Sequence, residues 1–410
     1  MRQTDAVIIG AGQAGLGMSY CLRRLGVEHV VLERGQVGER WHSERWDSLR
    51  LLTPNWMSRF PGWAYHGSDP DGFMTAAEVT GFLQQYASSF AAPVVTDATV
   101  QSVQRLPGGY RVESSRGAWR TRCVVIATGH CDVPAVPAMA RSLPVSIHQV
   151  TPTAYRNPDT LPVGGVLVVG ASASGVQLAE EVHRSGRPVT ISVSRHTRLP
   201  RLYRGHDIMW WLDQHGILEA DAVSAAELEA ARWQPSMQLV GRPERGDLDL
   251  RVLRDLGVRL VGRVAGIAGN VVQLENNLAE QIAGSHGRMA RLLRRIDVSA
   301  DAVGAPAERW PAGFAVAPSP PSLDLAADGI RTVIWATGFV RNYRWLHVPV
   351  LDRAGEIIHA GGVTPSPGLY VIGLRFLRRR DASFISAVTG DATELAEEIE
   401  RHLTAPCVAA

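Results

Sequence analysis

Apolar residues first gather at Ala6-Val7-Ile8-Ile9, a run of the length of a buried strand, and then change period. Leu16, Cys21, Leu22 and Leu25 recur at helical spacing until Gly26 stops the helix, and Val30-Val31-Leu32 begins another strand. The same order returns downstream. Val166-Leu167-Val168-Val169 precedes a helix carrying Val176, Leu178, Ala179 and Val182, Gly186 closes it, and Val189, Ile191 and Val193 alternate as the next strand. Thr75 opens a helix running to Phe90, and Val94-Val95, Val100 to Val103, Tyr110 to Glu113 and Trp119 to Ile126 read as strands of an antiparallel excursion. Farther on, Arg259 to Val264, Val271 to Glu275 and Leu369 to Ile372 read as strands. Asn277 to Ile296 reads as a helix, as does the stretch from about Asp391 that puts Leu395, Ile399 and Leu403 on one face.

Between strand and helix, both repeated units carry a glycine-rich turn. The first reads GAGQAG, with Gly10 for a tight turn, Gly12 for close approach of backbone to a diphosphate and Gly15 for close packing of helix on sheet. The helix N-terminus then offers its partial positive charge to the anion. Glu33, with Arg34 beside it, stands where a carboxylate can accept both hydroxyls of an unphosphorylated ribose. The second turn reads GASASG, with Gly170, Ser172, Ser174 and Gly175, and is followed by Ser194-Arg195-His196, with Arg198 nearby. No acid stands there to repel a 2′-phosphate, and a guanidinium could hold one, so this unit predicts NADPH over NADH.

These units predict an α/β fold of two Rossmann-like, three-layer dinucleotide-binding domains, the second inserted into the first. Two apolar strands end on Ala127-Thr128-Gly129 and on Ala336-Thr337-Gly338 and read as crossings between domains, with small residues close to cofactor. Proline-bearing links from Pro134 to Pro162 and from Pro318 to Pro321 frame the insertion. The expected division is 1–150 and 330–410 for an FAD domain and 151–329 for an NADPH domain. Four tryptophans, Trp41, Trp46, Trp56 and Trp63, fall within GERWHSERWDSLRLLTPNWMSRFPGW, a segment that either covers a flat ring system or forms a packing surface. The N-terminus of the last helix, near Asp391, could support the anionic edge of a reduced flavin, or could simply pack.

Charge and cysteines narrow the chemistry. A balance of 42 basic against 40 acidic residues gives no sign of a nucleic-acid or membrane-surface partner. The first strand starts by Ala6, which leaves no room for a leader, and no apolar run is long enough to span a bilayer, so the expected location is cytoplasmic. Cys21, Cys123, Cys131 and Cys407 form no CxxC or longer reductase pair, which argues against dithiol exchange. No metal-ligand spacing is present.

Taken together, GAGQAG, Glu33, the GERW and RWDSLRLLTP segments, GASASG with its basic follow-on and the paired Ala-Thr-Gly strands resemble the class B flavin-dependent monooxygenases over essentially the whole chain. The branch most like it contains the YUCCA-type enzymes and bacterial flavoproteins labelled as cation-transport associated. The resemblance implies FAD in the first domain, NADPH in the second, and Trp41 and Arg50 near the flavin. It further implies a C4a-(hydro)peroxyflavin that inserts one atom of molecular oxygen into a small organic substrate, by N- or S-oxygenation or Baeyer–Villiger oxidation. Because the flavin carries that chemistry, no catalytic side chain is assigned. Two departures stand out: Ser146-Ile147-His148 keeps only part of the family's linker motif, with Tyr155 seven residues beyond its histidine, and Leu52 occupies the position of the usual Asn. Two rival readings share the fold, a non-oxygenating NADPH:acceptor flavin oxidoreductase and a flavin-bearing regulatory or partner protein. Trp56, Trp63, Trp210 and Trp211 are candidate substrate walls.

Overall fold

The computed structural model describes residues 1–218 and 234–405, so Cys407 and the end of the expected last domain lie outside the described residues. Strand β1 (Arg2–Ile9) leads through the first glycine turn into α1 (Gln13–Arg24), and β2 (His29–Leu32) returns parallel to β1. After the short α2 (Glu39–Ser43), α3 (Ala76–Ser89) opens on a capping box: Glu78 N donates to Thr75 Oγ1 and Thr75 N donates to the Glu78 carboxylate. β3 (Val94–Val95) lies parallel to β2, while β4 (Val100–Leu106), β5 (Gly109–Ser114) and β6 (Gly117–Ile126) form an antiparallel meander. That meander is not a separate excursion, because β6 runs parallel to β1 from Trp119 to Ile126 and fuses it to the main sheet.

The chain leaves the first sheet through β7 (Val133–Pro134) and builds a second, wholly parallel one. Its members are β8 (His148–Val150), β9 (Gly165–Val169), β10 (Val189–Ser192) and β11 (Arg259–Val261), with α4 (Ala173–Arg184) between β9 and β10 and α5 (Leu278–Ala302) after β11. β12 (Ile330–Trp335) fills the remaining place, parallel to both β8 and β9. The return crossing, β13 (Phe339–Val340), pairs antiparallel with β7. β14 (Leu346–His347) and β15 (Leu369–Val371) then join β4 and β6 of the first sheet, and α6 (Val388–Thr404) follows.

Three sequence expectations need correction. The strands His148–Val150 and Ile330–Trp335, assigned by position to the first domain, pair with each other and with β9 in the second sheet, so the crossings fall at β7 and β13 rather than at residues 150 and 330. The second unit also lacks helices on both faces. Val166 and Val168 pack against Val176 and Leu178 of α4, whereas Leu167 and Val169 pack against Val272, Leu274 and Leu323, which belong to an antiparallel layer of Val264–Ala268, Val271–Leu274 and Ser322–Asp324. That layer exists because the stretch from Arg259 to Val264 breaks at Gly262, where a Cβ would lie 1.9 Å from the Glu275 carbonyl. Finally, the last helix begins at Val388, not Asp391; Val388 fills the space beside Gly17, whose Cβ would sit 2.2 Å from Val388 Cγ1. No helix among the described residues is long and apolar enough to cross a membrane.

Candidate functional site

The two glycine turns are built alike. Gly10 (φ +108°) and Gly170 (φ +107°) occupy backbone that side chains disfavour, and a Cβ on them would lie 2.7 Å from the Ala127 carbonyl and 2.4 Å from the Ala336 carbonyl. Gly15 and Gly175 are tighter still, each 1.9 Å from the carbonyl of the first glycine of its own turn. Each turn is thus clamped between its helix and the alanine of an Ala-Thr-Gly segment on the neighbouring strand. Gly12 and Ser172 are the N-caps of α1 and α4; neither helix has a side-chain cap or an acid in its first turn, so their N–H groups are free to meet an anion. A Cβ at Gly12 would touch nothing within 4 Å, which leaves open space over the N-terminus of α1. Ser174 lies half-buried in the first turn of α4, and buried Gln238 donates to the Ala171 carbonyl at 2.6 Å, steadying the second turn.

Beyond the helices the two units diverge. Glu33 is buried at the end of β2, where its carboxylate accepts from Ala11 N at 2.6 Å and Gly35 N at 3.2 Å and so faces the first turn. Arg34 beside it is exposed and paired with Glu44. In the second unit Ser194 is half-buried, its carbonyl facing His196 Nδ1, and Arg195 is exposed without an acidic partner among the described residues. Arg198 is spoken for: buried, it donates to Asp249 at 2.5 Å and to the Ala312 carbonyl.

Between the units lies a cleft of about 470 Å³ lined by Trp46, Ser48 and Arg50 from the first and by Gln177, Glu181 and Arg242 from the second. Arg50 donates to the Phe73 carbonyl at 2.8 Å, and Ser48 donates to Glu181 across the cleft at 2.8 Å. Burial raises the Glu181 pKa, and the Ser48 bond opposes the rise. Trp41 lies half-buried against both cores under the Arg45 guanidinium, 5.2 Å from its ring. Thr128 and Gly129 (φ +74°) follow the end of β6, and Gly338 (φ +90°) closes the matching segment after β12. Asp391 is buried in α6; among the described residues neither carboxylate oxygen has a hydrogen-bond partner, and Arg378 Nε stands 3.9 Å away. Burial pushes its pKa up to about 7, against the pull of Arg379 and Arg378.

The sequence model of the pyridine nucleotide-disulphide oxidoreductase family matches residues 7–208. A flavin-containing monooxygenase from Stenotrophomonas maltophilia has the same fold, with a TM-score of 0.66 and 22% identity over 98% of this chain and 100% of that one. Indole-3-pyruvate monooxygenase YUCCA4 of Oryza sativa is 29% identical across 50% of this chain and 52% of its own. An uncharacterized CzcO-like oxidoreductase of Geobacillus kaustophilus is 31% identical over 97% of this chain and 99% of its own length. The chain belongs to the family of CzcO-like oxidoreductases. It is therefore an oxidoreductase, on a Rossmann-type nucleotide-binding fold shared with a flavin-containing monooxygenase.

In this oxidoreductase several residues matter that sequence reasoning passed over. Ala127 and Ala336 seat the glycine turns, a role their small size hinted at. His130, directly after Gly129, is half-buried among Arg375, Arg341, Arg45 and Arg40; burial first, and those charges after it, push its pKa down to about 3, so it is a neutral imidazole at ordinary pH. Cys131 beside it is raised by burial, with the same guanidiniums opposing. Arg40 is held by Asp132 at 2.5 Å, and Arg375 donates to the Gln234 carbonyl at 2.6 Å. Other candidates are not drawn into the site. His148 is exposed on β8 at the edge of the second sheet. Trp63 packs on Phe82 and Tyr86, Trp211 is fully buried and donates to the Tyr203 carbonyl, and Leu52, Trp56 and Trp210 are half-buried around a third apolar cluster.

Proposed function

We propose that the chain is an FAD- and NADPH-dependent monooxygenase that inserts one oxygen atom into a small organic substrate, by N- or S-oxygenation or Baeyer–Villiger oxidation. The observation that carries this reading is the pair of glycine turns, seated alike but succeeded by opposite charges: a buried carboxylate beyond the first, and beyond the second an exposed guanidinium with no acidic partner among the described residues. Gly10, Gly12, Gly15 and the N-terminus of α1 would hold the FAD diphosphate, and Glu33 its ribose hydroxyls. Trp41, Arg50, Thr128, Gly129 and Asp391 are the candidate neighbours of the rest of that cofactor. Gly170, Ser172, Ser174, Gly175 and Gly338 would receive the NADPH diphosphate, with Ser194 and Arg195 at the 2′-phosphate. The FAD unit is accordingly built on the first sheet and the NADPH unit on the second.

Bound flavin supplies hydride acceptance from NADPH and oxygen activation at C4a. The chain contributes fixed N–H donors at two helix ends, a neutral His130 and an interunit cleft in which retained nucleotide would exclude water. Substrate and molecular oxygen are the proposed partners, with neither nucleic acid nor membrane, and the cytoplasm is the proposed location. The test is a turnover screen of the purified yellow protein with amines, sulfides, ketones and an aromatic 2-oxo acid, the last because the YUCCA relative is named for indole-3-pyruvate. Product formed in proportion to NADPH oxidised supports the proposal. Flavin reduction followed by direct reoxidation with no oxygenated product refutes it in favour of an NADPH:acceptor oxidoreductase, and a colourless protein that takes up no flavin refutes both.

A further inference from the structure

Loop 194–198, at the end of the second βαβ unit, is not free. Helix α5, some ninety residues later, is docked on it: Arg198 N donates to Ser285 Oγ at 3.0 Å, and Arg288 donates to the His196 carbonyl from Nε at 3.1 Å and from Nη2 at 2.5 Å. Ser285, Arg288 and Arg291 recur every three residues and share one flank of the helix. The contact therefore brings Arg288 close to Arg195, and Arg291 stands about one turn farther along the same helix. None of the three has an acidic partner among the described residues; burial first, and then the like charges of Arg195 and Arg291, lower the Arg288 pKa. Arg288 is half-buried, and among the described residues its Nη1 takes part in no hydrogen bond. Three guanidiniums gathered without a counter-charge repel one another, and an anion among them would reverse the sign of that interaction.

We propose that α5, an element outside the nucleotide-binding βαβ unit, completes the 2′-phosphate subsite: Arg288, fixed by the His196 carbonyl, is its anchored member, and Arg195 and Arg291 flank it. The proposal rests on the reading of the second unit as the NADPH unit. It differs from a single-arginine subsite because phosphate selectivity then depends on the docking of a helix that contributes nothing to the rest of the nucleotide. The hydroxyl of Ser285 serves as positioning group through the Arg198 amide.

The experiment is calorimetric binding of 2′,5′-ADP and of 5′-AMP to the purified full-length protein and to Arg288→Gln, Arg288→Lys and Arg291→Gln. The protein should bind 2′,5′-ADP more tightly than 5′-AMP. Arg288→Gln is expected to weaken 2′,5′-ADP about tenfold or more, and Arg291→Gln about threefold to tenfold, as loss of charge-assisted contacts implies, while 5′-AMP changes less than about twofold. Arg288→Lys, which can still donate to the His196 carbonyl, separates loss of the phosphate contact from loss of the loop: it should keep native melting behaviour and show an intermediate preference. A native preference for 2′,5′-ADP that survives both glutamine variants overturns the α5 subsite and leaves the NADPH reading standing. Failure of the unaltered protein to distinguish the two nucleotides overturns both.

Discussion

Gly12 and Gly15 lie in the same turn, yet adding one methyl group to each should break different things. In Gly15→Ala the new Cβ starts 1.9 Å from the Gly10 carbonyl oxygen, and ordinary contact begins near 3.4 Å, so α1 must retreat by about 1.5 Å. Ala127 Cβ, already 3.4 Å away, blocks a sideways escape. Overpacking of this kind costs about 1–3 kcal/mol. For a cooperative unit of this size that lowers Tm by roughly 3–10 °C. Gly12→Ala adds a methyl where no atom lies within 4 Å, at φ −81°, a conformation alanine accepts, so the flavin-free protein should melt within about 2 °C of the native one. The methyl does occupy the space over the α1 N-terminus, and flavin retention should drop at least tenfold. Differential scanning calorimetry of the flavin-free proteins, paired with equilibrium FAD titration followed by fluorescence, reads both effects. Native FAD affinity in Gly12→Ala would show that the diphosphate does not lie on this turn, and an unshifted Tm in Gly15→Ala would show that the close packing is not what holds it.

The two arginines after β10 should separate in the same manner. Arg195→Ala is expected to reduce the preference for NADPH over NADH about tenfold with Tm unchanged, whereas Arg198→Ala strands buried Asp249 and should cost about 3–5 kcal/mol in urea unfolding; coenzyme kinetics unmoved by the first, or a stable second, would reverse the assignment. Asp391 keeps its proton to about pH 7 when folded and releases it near 3.8 when unfolded. The folded state is therefore penalised progressively as pH rises through that window, and Asp391→Asn should gain stability over the native flavin-free protein between pH 5 and pH 8; a difference in urea midpoint that does not vary with pH contradicts this. His130 shows the opposite dependence. Its imidazole takes a proton near 6.5 when unfolded and only at about 3 when folded, so stability falls as pH drops below 6.5, and His130→Gln should flatten that loss in parallel unfolding titrations.

What was legible in the chain is what local spacing encodes. Helices α1 and α4, the strands before them and the special glycines follow from periodicity and from backbone that only glycine adopts readily. Strand pairing is not local, and a buried apolar run such as Ile330–Trp335 carries nothing that names its sheet. The β layer over the second unit was hidden because Gly262 interrupts what reads as one strand, and the early start of α6 was hidden because tertiary contact with Gly17 holds Val388-Thr389-Gly390 in a helix despite its weak propensity. Of the candidate site, both glycine turns, Glu33 and Arg195 could be named from the sequence. The surroundings of His130 could not: its four arginines come from positions 40, 45, 341 and 375, brought together only by the two crossings.

The seat of the second glycine turn has a bearing on biosynthesis. Ala336 leaves the ribosome about 160 residues after the loop it braces, and β12, the strand before it, occupies a place between β8 and β9 that nothing earlier in the chain can fill. The first sheet waits longer, for β15 and α6. Neither sheet can close until these late strands have been made, so both folding units should be completed at nearly the same stage of synthesis, and truncation anywhere before β12 should leave no competent half.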